Sequence, residues 1–160
     1  MKITIDTNVP ISANGRRTHA GDACQLACSK FLFEIATQKV KDIVVLDASG
    51  LILAEYTPFL FHSGQPGIGD VFFKYLHDNM YNPNKVELVE ITPIDDESRG
   101  FAELPPNNMD PSDQKFLAIA VKTGATVVNA LDTDWKEKET LMIQLKVKVR
   151  QLCPEHGCLI

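Results

Sequence analysis

DPSDQKFLAIAVKTGATVVNALD, residues 110–132, predicts a helix that leads directly into a buried strand. Asp110 is a good helix cap, Pro111 suits the first helical position, and Gly124 suits the helix end. The run ATVVNAL after the glycine is apolar and β-branched, as strands buried on both faces usually are. A helix followed by such a strand is typical of proteins in which helices connect parallel strands.

The same alternation of helices and strands extends in both directions along the chain. Apolar and β-branched runs predict four more strands, at residues 3–5, 42–47, 85–91 and, as an edge strand, 146–152. Periodicity and capping residues predict helices at residues 22–38, 49–58, 70–80 and 132–145, with a further short helix at 95–101. We therefore expect an α/β fold: one domain over residues 1–160, built as a three-layer α/β/α sandwich around a mainly parallel sheet.

Length and composition are those of a soluble single-domain protein. The chain has 160 residues, of which 44% are hydrophobic and 23% are charged. A chain of this length buries roughly 70% of its unfolded surface, so its core requires neither disulfides nor a metal. The net charge of −5 argues against a broadly basic nucleic-acid coat. It is compatible with a nucleic-acid enzyme, because a carboxylate cluster that holds cations adds negative charge.

The start of the chain and its cysteines predict a cytoplasmic location. The first residues, MKITID, carry no secretory signal, and no apolar run approaches the roughly 18 residues of a membrane span. We expect the four cysteines to stay reduced there and to form no disulfide. Cys24 and Cys28 lie one helical turn apart, while Cys153 and Cys158 flank PEHG. These spacings are not those of a zinc knuckle, so we expect no zinc site.

Three aspartates occupy the places where a parallel sheet binds ligands. Asp6 ends the first strand, Asp132 follows the strand quoted above, and Asp113 lies in the first turn of the helix before it. The crevice outside the carboxyl ends of parallel strands is the usual ligand site of such folds. Asp6 alone could simply form a turn or cap a helix. Together, the three are expected to meet in the crevice, with Asp134 close by.

Glu55 is the one charged residue in the helical segment SGLILAEYTPFL. It can lie on the solvated face of its helix, since isolated acids are rarely buried. If it faces the strand ends instead, it completes a cluster of four carboxylates, which cannot all stay ionised without a partner. A divalent cation relieves this repulsion, and ligand sets made only of oxygen favour Mg²⁺ or Mn²⁺. The sequence therefore predicts a Mg²⁺ or Mn²⁺ site.

Four short motifs together resemble the PIN domain family, a metal-dependent nuclease fold. They are ITIDTNV at residues 3–9, LAEY at 53–56, DQKFLAIAV at 113–121 and VVNALDTDW at 127–135. They follow the order and approximate spacing of that family across nearly the whole chain. The resemblance implies that the family's catalytic and metal-binding acids are Asp6, Glu55, Asp113 and Asp132, with Asp134 as an accessory metal ligand and with Thr7 and Asn8 as the small polar residues after the first acid. One position departs from the pattern, because Ala130 stands where the family often has Thr or Ser to support the fourth acid. Asn129 or Thr133 could support Asp132 in its place.

The resemblance implies a ribonuclease that hydrolyses RNA phosphodiester bonds with Mg²⁺ or Mn²⁺. Divalent ions supply a hydroxide, a neutralised phosphate and a stabilised leaving oxygen, so no His or Lys base is required. We expect no histidine or lysine near these motifs. Stand-alone PIN domains of this size are often toxins silenced by a small antitoxin protein, and they commonly form homodimers. Two other hypotheses remain open: a non-catalytic PIN-like module that binds RNA or protein, and a phosphatase, although an aspartyl phosphatase would need an acid in place of Asn8.

Two further features have both a functional and a structural interpretation. The polar loop NGRRTHAG, residues 14–21, carries Arg16, Arg17 and His19, which can bind RNA phosphates or simply lie in solvent. Trp135 can stack a nucleobase, although packing against the last helix is the more common role of a tryptophan at such a position.

Overall fold

Five strands and seven α-helices alternate along the computed structural model, which describes residues 1–156. The strands are β1 (Lys2–Ile5), β2 (Ile43–Asp47), β3 (Val86–Val89), β4 (Thr126–Asn129) and β5 (Val149–Gln151). The helices are α1 (Asn8–Asn14), α2 (Asp22–Ala36), α3 (Leu51–Tyr56), α4 (Ile68–Asp78), α5 (Pro111–Thr123), α6 (Asp134–Glu137) and α7 (Glu139–Leu145). A 3₁₀ turn, Pro154–His156, follows β5.

The strands form one parallel sheet in the order β3-β2-β1-β4-β5, which confirms the predicted α/β architecture. The chain adds strands on one side of β1 and then returns to add β4 and β5 on the other side. Right-handed crossovers place the helices of these two halves on opposite faces of the sheet. The order reverses between β1 and β4, where Ile5 is in register with Val128. This reversal is the usual ligand-binding point of an open parallel sheet.

The helix ends in the quoted stretch form as their residues predict. The Asp110 side chain accepts a hydrogen bond from the Ser112 amide at 2.9 Å, and Gly124 ends α5 with a φ of 76°. Helix α3 begins at Leu51, two residues after the start of the helix predicted over residues 49–58. The buried carboxylate of Asp47 accepts bonds from the Leu51 and Ile52 amides at 2.7 and 2.8 Å and therefore caps the helix from the strand end.

Three local predictions differ from the structure. Helix α1 begins two residues after Asp6 and was not predicted; Pro10 is tolerated because an amide in the first turn has no acceptor within the helix. Residues 95–101 form no helix, since the Asp96 side chain bonds the Ser98 amide in a turn. The predicted helix 132–145 starts later and is broken at Lys138 into α6 and α7.

The expectation that all four cysteines are free thiols is wrong for two of them. Cys24 on α2 and Cys153 after β5 form a disulfide, while Cys28 is free and buried. Their Cα atoms lie 5.1 Å apart because α2 packs beside the end of β5, a distance that a disulfide can bridge. Cys158, the other cysteine of the tail, lies outside the described residues. Among residues 1–156, no helix combines the length and the apolar character that a bilayer span requires.

An ion pair between Arg16 and Asp70 ties the loop after α1 to the start of α4. The guanidinium donates to both carboxylate oxygens at 2.9 and 2.8 Å, and the amides of Phe61 and Gly67 also donate to them. The Asp70 side chain has 0% exposure. Burial raises its pKa, but Arg16 and the two amides outweigh burial, and the pKa lies below its usual range. Arg16 is therefore part of the fold and not a solvated loop residue.

We predict that Arg16→Ala lowers the free energy of unfolding by about 3 kcal/mol at neutral pH, because it leaves the buried Asp70 carboxylate without its cation. Arg17→Ala is the matched control in the same loop and should cost less than about 0.5 kcal/mol, since Arg17 is exposed.

Because the pKa of Asp70 is lowered, the ion pair stabilises the protein above the ordinary pKa of aspartate. This contribution is lost as the pH falls through the lowered value. Urea unfolding at neutral and acidic pH tests this; equal losses for the two variants would contradict it.

Candidate metal centre

A crevice of about 460 Å³ opens at the carboxyl ends of β1 and β4, where the strand order reverses. All four of the acids expected there reach it: Asp6, Glu55, Asp113 and Asp132 line its walls. Its remaining polar lining comes mainly from α1 and the loop that follows it, through Thr7, Asn8, Ser12, Arg17, Thr18 and His19. The lining of the crevice therefore combines four carboxylates with one arginine.

Asp6, Asp113 and Asp132 form the tightest acidic group in the crevice. One carboxylate oxygen from each lies within 4.8 Å of the others. Asp6 and Asp113 are buried, at 5% and 3% exposure, and Asp132 is partly exposed. We call these three residues the carboxylate cluster.

Asp6 is fixed by the strands and by Trp135. Its amide donates to the Val128 carbonyl at 3.0 Å, which extends the pairing of β1 with β4 by one residue. The Trp135 indole N–H donates to Oδ2 of Asp6 at 2.8 Å, and the ring is 1% exposed. The interpretation of Trp135 as a platform for a nucleobase is therefore wrong. Its role is to pack the core and to orient Asp6.

Asp132 is held by two asparagines that support its main chain. The Asn129 amide group donates to the Asp132 carbonyl at 2.7 Å and accepts from the Asp132 amide at 3.2 Å. The Asn8 side-chain oxygen accepts from the amides of Ala130 and Leu131 at 2.9 and 3.0 Å. Of the two candidates to replace a Thr or Ser at position 130, Asn129 thus supports Asp132, and Asn8 joins it through a 3.0 Å bond.

Asp113 brings the third carboxylate from the first turn of α5. Its Oδ2 is buried and receives no hydrogen bond from the described residues. A buried carboxylate oxygen without a donor is costly unless a cation or a proton occupies its lone pairs. This orphaned atom is the feature of the crevice that fits a metal ion most directly.

The electrostatics of the cluster favour a bound cation. Burial, followed by the neighbouring charges of Asp132 and Glu55, raises the pKa of Asp6 to about 7, although the Trp135 bond opposes the rise. Burial also raises the pKa of Asp113, and the charges of Asp6 and Asp132 add to the effect. The pKa of Asp132 is raised mainly by burial as well. Each of these groups therefore carries its charge only against a penalty, which a divalent cation would remove.

Glu55 lines the same crevice, but its carboxylate already has partners. The Lys115 ammonium donates to Oε1 at 2.6 Å, and the Thr7 hydroxyl donates to Oε2. Lys115 is 8% exposed, and it also donates to the Ser112 carbonyl at 2.7 Å. The expectation that no lysine stands near the motifs is therefore wrong. A lysine inside the apolar run QKFLAIA was the sequence signal, because a buried ammonium requires an acid nearby.

The remaining predicted site residues have different positions. The Asp134 amide donates to Oδ1 of Asp132 at 2.9 Å, and its charge helps to raise the pKa values of Asp113 and Asp132, but it does not line the crevice. Arg17 and His19 line the crevice. The Arg17 guanidinium donates to the Pro58 carbonyl at 2.9 Å. Arg16 is paired with Asp70, outside the crevice lining.

The cluster has the composition of a site for a hard divalent cation. All its ligand atoms are carboxylate oxygens, which suit Mg²⁺ and Mn²⁺ better than softer metals. One oxygen from each of the three carboxylates lies within 4.8 Å of the others, so the three side chains could hold one such ion together.

We predict that the metal-free protein loses stability as the pH rises from acid towards neutrality. Because the pKa of Asp6 is raised to about 7, the folded state holds a proton that the unfolded state releases. This contribution is complete below the ordinary pKa of aspartate and is lost as the pH passes about 7. Mn²⁺ or Mg²⁺ at about 100 times its Kd should add about 2.7 kcal/mol. Thermal melts in chelator and in Mn²⁺, as a function of pH, measure both effects.

Two variants of α5 provide the comparison. Asp113→Asn removes a charge from the cluster and should abolish most of the Mn²⁺ shift while stabilising the chelated protein. Asp110→Asn removes a charge from the exposed helix cap, where asparagine serves equally well, and should keep the shift. An equal Mn²⁺ shift in the two variants, or none in the unmodified protein, would contradict a metal centre at the cluster.

Comparison with protein-family models, with curated proteins and with solved structures finds no match to this chain.

Proposed function

We propose that the chain is a metal-dependent nuclease that hydrolyses RNA phosphodiester bonds with Mg²⁺ or Mn²⁺. The observation that carries the proposal is the carboxylate cluster: three acids with raised pKa values, oxygens within 4.8 Å of one another, at the point where the strand order reverses. A divalent cation bound at this cluster would offset the repulsion among the three buried acids. The resemblance of the four motifs to PIN domains supports the same reaction.

The residues of the crevice divide the work. Asp6, Asp113 and Asp132 would hold the ion, which when bound supplies hydroxide at neutral pH and neutralises the phosphate. Glu55 lies beside them with Lys115 and Thr7 on its two oxygens, so it is suited to orient a water and less suited to bind the ion directly. Trp135, Asn8 and Asn129 keep the acids in place, because their hydrogen bonds reach Asp6 or the loop of Asp132.

The substrate class follows from the other residues of the crevice lining. Arg17 and His19 line the same crevice as the cluster and would contact a phosphate next to the one being cleaved. The opening is shared by polar groups and by the rings and aliphatic side chains of Phe59, Ile11 and Leu131, which suits an unpaired strand with exposed bases. The PIN resemblance adds the biological part of the proposal: a toxin that is silenced by a small antitoxin protein and that forms a homodimer. The cytoplasmic location is proposed from the start of the chain.

The second candidate is a PIN-like module that binds RNA or protein without cleaving it. The Glu55–Lys115 ion pair favours it, because one of the four acids is already neutralised by the chain itself. A phosphatase with an aspartyl nucleophile is disfavoured, since the Asn8 side chain at the relevant position is used to hold the amides of Ala130 and Leu131.

Single-turnover cleavage of a fluorescent single-stranded RNA tests the activity. We expect cleavage to require Mn²⁺ or Mg²⁺ and to stop in chelator. Asp113→Asn and Asp132→Asn should each lower the rate by at least about 100-fold, since even outer partners of metal ligands contribute 10–100-fold. Asp110→Asn, the control on the same helix, should cleave as the unmodified protein does.

Melting curves of the same samples separate loss of chemistry from loss of fold. Both cluster variants should melt at or above the temperature of the unmodified protein in chelator, because repulsion among the acids falls. If the unmodified protein binds RNA in Mn²⁺ without cleaving it, the non-catalytic module replaces the nuclease. Cleavage that survives in both cluster variants would assign the activity to another site.

Arg17→Ala should weaken RNA binding without changing the chemical step. Losing one phosphate contact should reduce the slope of log K against log salt concentration by about 0.7, the value for a single strand. Arg150→Ala is the matched control, since Arg150 stacks on Phe31 at 4.9 Å and lines a different pocket. Binding to RNA is measured by fluorescence anisotropy in chelator across a salt series. Identical slopes for the two variants would remove Arg17 from the RNA path.

A further inference from the structure

Three buried cysteines converge near the end of β5, close to the crevice, since the ring of His156 lies 6.1 Å from that of His19. Cys24 and Cys28 lie one turn apart on α2, and Cys153 follows β5. Each has 0% exposure, and their sulfur atoms all lie within 4.8 Å of one another. The disulfide joins Cys24 and Cys153, and the free Cys28 sulfur lies 3.9 Å from that of Cys153. The disulfide accounts for the proximity of two of the sulfurs but not for that of the Cys28 sulfur.

The 3₁₀ turn after Cys153 brings two more ligand types to the same place. A ring nitrogen of His156 and a carboxylate oxygen of Glu155 lie within 4.8 Å of the Cys24 sulfur. The turn is fixed to the cysteine by a bond from the His156 amide to the Cys153 carbonyl at 3.0 Å. Two groups of ligand atoms, the three cysteine sulfurs and the Cys24–Glu155–His156 group, thus share the Cys24 sulfur and come from two segments that are far apart in the sequence.

We propose that the reduced form of this group binds Zn²⁺ through Cys24, Cys28, Cys153 and His156. Tetrahedral Zn²⁺ with Zn–S bonds of about 2.3 Å places its sulfur ligands about 3.8 Å apart. The observed separation of 3.9 Å between the sulfurs of Cys28 and Cys153 is close to this spacing. One imidazole with three thiolates is a common structural zinc set, and a closed site of this kind has no open position for catalysis.

The disulfide and the zinc ion exclude one another, which makes the site redox-dependent. A dithiol reductant cleaves the Cys24–Cys153 bond by supplying two electrons and two protons, and is itself converted to a disulfide. Zn²⁺ then displaces the protons of the three thiols, while neutral His156 binds through a nitrogen lone pair. The Glu155 carboxylate stays beside the cation and offsets part of its charge. The disulfide form is the zinc-free form.

This site does not rest on the proposed nuclease. Its ligands are sulfur and nitrogen, which select Zn²⁺, whereas the carboxylate cluster offers only oxygen. Its mechanical role is to join α2 to the segment after β5, as the disulfide does in the oxidised form. A reducing compartment would therefore exchange one cross-link for another and keep the same two segments together.

Cobalt substitution tests the proposal on the full chain. The protein is reduced, freed of metal and titrated with Co²⁺ in excess Mg²⁺, which keeps the carboxylate cluster occupied. We expect one equivalent of Co²⁺ to produce thiolate charge-transfer absorption and the intense visible bands of tetrahedral cobalt, and Zn²⁺ to displace it. The oxidised protein should show neither signal. Circular dichroism of the reduced, metal-free sample reports whether its fold persists.

Variants distinguish the zinc ligands from the disulfide. Cys28→Ser leaves the disulfide pair intact, so its oxidised form should fold normally, yet its reduced form should bind Co²⁺ and Zn²⁺ at least about 100-fold more weakly. His156→Ala should weaken binding and alter the cobalt spectrum. Asp110→Asn is the control and should bind Zn²⁺ as the unmodified protein does. Reduced protein without charge-transfer absorption, or Cys28→Ser with unchanged affinity, would overturn the proposal.

Discussion

Mutual repulsion among Asp6, Asp113 and Asp132 is the constraint around which the structure is arranged. Burial raises the pKa values of all three, so bringing them together costs free energy that the rest of the fold must offset. The offset comes from directed hydrogen bonds. The Trp135 indole fixes one carboxylate, and the side chains of Asn8 and Asn129 hold the loop that carries another. Folding alone does not require three buried acids at one place, or the polar side chains that hold them there.

The sheet topology determines where this repulsion is located. Strand β1 is central, and its register with β4 brings the residues after both strands to the same edge. Helix α5 packs on β1, β2 and β4 and so delivers Asp113 from a third direction. Because β1 and β4 are buried parallel strands, their ends cannot shift without moving the core. The acids therefore stand on rigid elements, which is the arrangement that a metal site with defined geometry requires.

Sequence patterns predicted the elements well and the partnerships between distant side chains poorly. The strands, the capped helix α5 and the acids at the strand ends follow from local chemistry, because apolar runs and caps act over a few residues. The pairs Cys24–Cys153, Arg16–Asp70 and Lys115–Glu55 join residues that are far apart in the chain, and each could be replaced by many other combinations. Helix α1 was missed for a local reason, since Pro10 looks like a breaker and is harmless in a first turn.

The position of Lys115 gives the strongest argument about how the four acids differ. Lys115 could have neutralised any acid of the crevice, yet its ammonium is bonded to Glu55, and the ion pairs of residues 1–156 leave out Asp6 and Asp113. For Glu55 to bind an ion directly, it would have to leave a partly buried lysine without its carboxylate, which costs more than the ion pair itself contributes. In the proposed nuclease, Glu55 would therefore lie beside the ion and not among its ligands. Asp6 and Asp113 take part in none of the ion pairs of residues 1–156, so a cation bound at the cluster would neutralise acids that the cations of the chain do not reach.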